Sequence, residues 1–172
     1  MVGRTIQAVA LEWTRRGPVT SLSRYFIEQT GARDLEDLLE GLSLERLQLE
    51  ATAAPLVFRA AAEGDVVALD IVLWAGRELG SLAVGVIRQL GFEALEFDVV
   101  LVGSLYQGSP LLVEAMRQTI HTVAPGARFM PLTAPPVVGG VLLGMEQAGL
   151  NAPTRRETLI QSTVELLAAR SG

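Results

Sequence analysis

The chain has 172 residues, the length of one domain or one large lobe. Its 49% apolar and 19% charged residues exclude a disordered polymer, because so much apolar surface seeks burial. A net charge of −5 without any basic run argues against nucleic acid and anionic membrane as partners.

Cysteine is absent, which removes disulfides, thiolate catalysis, iron–sulfur clusters and cysteine-bound zinc together and suggests a cytoplasmic protein. Met1-Val2-Gly3-Arg4 leads into an amphipathic pattern, not the apolar core of a signal peptide. Asp70, Arg77, Glu78 and Arg88 break the longest apolar stretch, so no membrane span is expected.

The first predicted helix covers residues 2–15, with Ile6, Val9, Ala10 and Trp13 on one face, and stops at Gly17-Pro18. Thr20 or Ser21 can cap a second helix that runs to about Gln29, where Gly31 ends it. "DLEDLLEGL" reads as a short acidic helix. Pro55 falls inside the helical pattern that follows and sets a boundary or kink near Ala54. Asp65 is the expected N-cap of the longest helix, residues 65–90. Asp70, Arg77, Ser81 and Arg88 form its narrow polar stripe, which implies burial on most other sides.

After Gly91 the period changes. "FDVVLVG" reads as a buried strand over 97–103. Ser109 caps a helix with Pro110 at its first position, ending near Val123. A second strand is expected near 127–132, a helix from Pro136 to Gln147, and a last helix over 154–170 opened by a Thr154/Glu157 capping box. The fold class is therefore α/β, helix-rich with a small sheet, in a single lobe. Residues 1–92 form its helical part; residues 93–172 form a strand–helix–strand–helix part and a terminal helix. Two strands alone make a poor sheet, so further strands would have to come from elsewhere.

"VVLVGSLYQGSPLL", followed about 30 residues later by "PPVVGGVLLGM", resembles the C-terminal part of the BadF/BadG/BcrA/BcrD ATPase family. That family includes N-acetylglucosamine-kinase-like proteins of the acetate and sugar kinase/Hsc70/actin superfamily. "GRTIQAVALEWTRRGPVTSL" and "APLVFRAAAEGDVVALDIV" resemble its connecting segments in the same order. The resemblance implies an RNase-H-like, actin-like ATPase lobe that binds the adenosine of ATP, with magnesium and phosphates held mainly by an N-terminal lobe in cis or in trans. It places nucleotide contacts at Gly103, Ser104 and Ala51, with Leu105, Gly139 and Gly140 shaping the pocket. The family's glycine-rich phosphate loops, catalytic aspartate and "GDEGSGYW"-like segment do not occur in these 172 residues, so the chain by itself is expected to be inactive. Lack of cysteine favours the sugar-kinase-like branch over the iron–sulfur activators. A non-catalytic oligomerisation or interaction module derived from the same fold is the alternative.

Other features read as structural. "VVGGVLLG" lacks the lysine of a phosphate loop and suggests close helix packing. His121, the only histidine, sits at a helix C-terminus. The acidic run from Asp34 to Glu45 reads as a solvated amphipathic face, Trp13 and Trp74 as core, and Arg15-Arg16 and Arg155-Arg156 as surface pairs.

Overall fold

The computed structural model describes residues 1–49 and 53–170. Eight helices, α1 Val2–Trp13, α2 Ser21–Thr30, α3 Leu35–Ser43, α4 Ala54–Ala62, α5 Val66–Leu90, α6 Pro110–His121, α7 Pro136–Gln147 and α8 Arg156–Arg170, are joined by two strands, β1 Phe97–Leu101 and β2 Ala127–Pro131. The strands pair in a two-stranded parallel sheet with α6 as the crossover, so the chain is α/β and helix-rich. Two compact units result, one of residues 1–98 with 103–128, the other of residues 99–102 with 129–172.

Side-chain caps open four of the six described helices of the first unit. Thr20 takes the Leu22 N–H at the start of α2, and Gly31 closes that helix at φ 71°. Asp65 accepts the Val67 and Ala68 N–H groups at the start of α5, and Gly91 ends it at φ 67°. Pro55 stands in the first turn of α4, where its missing N–H has no helical partner to lose, so it marks a boundary and not a kink.

The core is built from Val9 of α1, Leu22 and Phe26 of α2, Leu38 of α3, Val57 of α4, Val72 of α5 and Leu112 of α6. Helix α5 packs on α4 and, most extensively, on α6. A Cβ at Gly80 would stand 2.6 Å from the Thr119 Cβ and 2.9 Å from the Met116 carbonyl, and one at Gly76 would collide with the Leu112 carbonyl. These two glycines, one turn apart, let α5 and α6 meet backbone to side chain.

Several expectations are corrected. Helix α5 is not buried on most sides: Leu82, 71% exposed, and Val86 and Leu90 form a second, apolar outward face. Hydrophobic periodicity says which positions share a face, but not whether a neighbour exists to cover it. Trp13, at the last turn of α1, is 49% exposed and not core. Trp74 is half-buried against the core, with the Arg4 guanidinium over its ring. Asp37, within the acidic run, is buried and ion-paired instead of solvated. β1 ends at Leu101, two residues early, because the chain must turn into Gly103.

The second unit holds the adjoining ends of the strands together with α7 and α8, which pack on each other. The Leu132 N–H donates to the Leu101 carbonyl at 3.0 Å. Among the described residues its buried apolar side chains are Leu101, Val138 and Ala152, while Val100, Val102, Met130, Leu132, Leu143 and Leu166 are exposed. The expected capping box does not form. Thr154 lies in a short 3-10 turn, Pro153–Arg155, and its hydroxyl donates to the Asn151 carbonyl.

Candidate functional site

β1 leads through Val102 into Gly103, whose φ of 110° and ψ of 162° form a backbone conformation open almost only to glycine. A Cβ there would meet no described atom within 4 Å, so glycine is required by the dihedral angles and the space beside it is open. The turn passes directly into the 3-10 segment Ser104–Gln107. Ser104 and Leu105 reach a cleft of about 930 Å³ whose other wall is α4, with Pro55, Phe58 and Arg59 facing it. That volume suits a nucleotide-sized ligand.

Gly108 lies under the Phe58 ring so closely that a Cβ would overlap it. The absent side chain lets the aromatic ring settle against the loop and floor this side of the cleft. Arg59 is braced on the same wall. Its Nε donates to Glu63 Oε1 at 2.9 Å, and its guanidinium carbon lies 4.7 Å from the centre of the Tyr25 ring. The Tyr25 hydroxyl donates to the other oxygen of Glu63. That hydrogen bond raises the tyrosine pKa, and burial adds to it. The Tyr25 hydroxyl and then Arg59 hold the Glu63 carboxyl below its ordinary value. At neutral pH the trio is thus a neutral phenol, a carboxylate and a guanidinium, which fixes one cation at the cleft.

The start of α6 offers less to an anion than its sequence suggests. Pro110 has no N–H, and the Leu111 N–H is taken by Ser109 Oγ at 3.3 Å. The chemistry assembled at the cleft is an apolar wall, a serine hydroxyl and an arginine, which together can hold a molecule with an apolar face and polar edges. Among the described residues no group of three or more His, Asp and Glu could hold a metal ion.

The expected site residues fall in different places. Gly103, Ser104 and Leu105 come together at the cleft. Ala51 lies outside the described residues. Gly139 and Gly140 belong to α7 in the second unit, and a Cβ on either would meet no described atom within 4 Å, so close helix packing does not explain them. His121 ends α6, with Nε2 2.9 Å from the Ala127 carbonyl. Phe58 and Arg59 escaped sequence reasoning. The i,i+4 spacing of Arg59 and Glu63 was a visible signal for a braced cation, but nothing local brings α4 to the Ser104 loop.

Comparison with family models, with curated proteins and with solved structures returns no match to this chain. No described helix is long and apolar enough to cross a membrane.

Proposed function

We propose that this chain is an adenosine-binding lobe of an ATP-dependent, N-acetylglucosamine-kinase-like sugar kinase or BadF/BadG-type ATPase with an actin-like fold, working in the cytoplasm. The observation that carries the reading is Gly103, held at a glycine-only conformation at the carboxyl end of β1, with Ser104 and Leu105 opening directly onto the cleft. Such strand ends are where α/β sheets take ligands. Pro55, Phe58 and Leu105 suit the faces of a purine; Ser104 and Arg59 suit ribose and phosphate oxygens. The donor set fits adenosine better than magnesium. The metal and the outer phosphates need a second lobe, in cis or in trans, and the chain alone transfers no phosphate.

The test is calorimetric titration with adenosine, ADP and ATP in magnesium buffer, alongside thermal melting. Saturable, adenine-dependent binding that is lost in Gly103→Val and weakened in Arg59→Ala is expected. Absence of binding by all three ligands at millimolar concentration would end the reading. Because valine at φ 110° strains the backbone, a Ser104→Trp variant, which fills the cleft without that strain, accompanies it.

A second reading, a non-catalytic assembly module, has one observation in its favour: the second unit exposes Val100, Met130, Leu143 and Leu166 while burying few apolar residues of its own. Light scattering tests it. A stable oligomer indifferent to nucleotide would favour the module over the kinase-type lobe.

A further inference from the structure

A second groove opens between α1 and α5, with a volume of about 410 Å³ and a lining separate from that of the nucleotide cleft. Leu11 of α1 and Val67 and Ile71 of α5 give it an apolar floor. Arg4 and Gln7, one turn apart on α1, and Asp70 of α5 add polar groups to its lining.

The two charges are set apart from ordinary surface pairs. Arg4 lies over Trp74, its guanidinium carbon 4.7 Å from the ring centre, and Trp74 is one turn beyond Asp70. A cation–π contact of this kind consumes no N–H donor, so the guanidinium keeps donors with which it can grip a carboxylate. Among the described residues Arg4 forms no ion pair. Asp70 meets Arg77 only at 3.9 Å, the long end of ion pairing. Arg4 and Asp70 thus line one apolar floor, and Asp70 pairs with Arg77, not with Arg4.

We propose that this groove binds a free amino acid with an apolar side chain. The ligand carboxylate meets Arg4, its ammonium meets Asp70, the Gln7 amide adds a hydrogen bond, and the side chain lies on Leu11, Val67 and Ile71. Arg4 then gains an ionic partner, Asp70 a closer one than Arg77, and the apolar floor is covered in the same event. The site does not depend on adenosine binding.

The test is calorimetric titration of the intact chain with leucine, leucine methyl ester and N-acetylleucine, repeated on Arg4→Ala and Asp70→Asn. Leucine should saturate in the millimolar range. The ester, which lacks the carboxylate, and the acetyl derivative, which lacks the ammonium, should each bind about tenfold more weakly, the worth of one charge-assisted contact. Arg4→Ala should weaken leucine about tenfold and erase its preference over the ester, and Asp70→Asn should erase the preference for leucine over N-acetylleucine. The ligand series leaves the protein unaltered, so it holds even if a variant folds poorly. No saturation by leucine at its solubility limit, or equal binding of the ester, would overturn the proposal.

Discussion

The carboxylate of Asp65 reaches Ser21, 44 positions earlier, and accepts its backbone N–H at 2.6 Å and its hydroxyl at 2.7 Å. The same oxygen takes the Thr20 hydroxyl at 2.7 Å, while the other oxygen caps α5 through Val67 and Ala68. One side chain therefore ties the first turns of α2 and α5 together. Burial alone would raise its pKa, but the Ala68 N–H, the Ser21 and Thr20 hydroxyls and the Ser21 N–H outweigh that and lower it.

Asp65→Ala should accordingly destabilise the chain by more than a simple cap deletion. Loss of the cap costs about 1 kcal/mol. The buried Thr20 hydroxyl left without an acceptor adds about 1–3 kcal/mol. Urea unfolding at neutral pH measures the sum. A Thr20→Val/Asp65→Ala double variant less impaired than the two single losses added together would show that the pair acts as a unit.

Acid sensitivity should trace largely to Asp37. It is only 7% exposed, yet it accepts the Arg33 N–H at 3.0 Å and the Arg33 and Arg46 guanidinium groups at 3.3 and 2.9 Å. The backbone N–H of Arg33 first, then the two guanidinium groups, hold its carboxyl far below the usual range. A depressed folded pKa gives stability that is present above the unfolded value, near 4, and is lost as the pH falls toward and through the folded one. Wild type should exceed Asp37→Asn in stability at pH 7, and the gap should start to narrow below about pH 4 and go on narrowing to the lowest pH reached in melts across pH.

The α5–α6 contact should tolerate no bulk. Gly80→Val places a branched side chain where even a Cβ crowds Thr119 and Met116. A cost of about 1–3 kcal/mol or more is expected, as for overpacked cores. Gly85→Val, on the same helix with open space beside it, serves as the control and should be neutral or gain a few tenths of a kcal/mol, since valine is the better helix former. Equal melting temperatures for the two variants would show that the close approach is not required.

The outward face of α5 should behave as surface. Leu82→Gln should change stability by less than about 0.5 kcal/mol, whereas Val72→Ala, in the core, should cost about 1–3 kcal/mol. Guanidinium unfolding of the two variants side by side tests the contrast.

Much of the fold was legible because its signals are local. Thr20, Asp65 and Ser109 announce helix starts through side-chain oxygens, and Gly31 and Gly91 announce ends through left-handed backbone. Burial was less legible. The apolar letters of Leu82 and Val86 match those of Ile71 and Val72, and only the presence of neighbours separates them. Thr154 carried the right letters for a capping box but found the Asn151 carbonyl first. At the candidate site the contiguous Gly103–Leu105 stretch could be read directly. The wall supplied by Phe58 and Arg59 could not, since more than 40 residues of intervening chain must fold before α4 meets that loop.

The glycine-mediated seat of α6 on α5 also orders events during synthesis. Helix α5 is complete at Leu90, but the groove formed by Gly76 and Gly80 stays bare until Thr119 has been added. At about 5–20 residues per second a ribosome needs on the order of 2–6 s to make that stretch. For that interval the nascent chain carries the Gly76–Gly80 groove with no α6 seated in it, the kind of transiently uncovered surface that chaperones exist to hold.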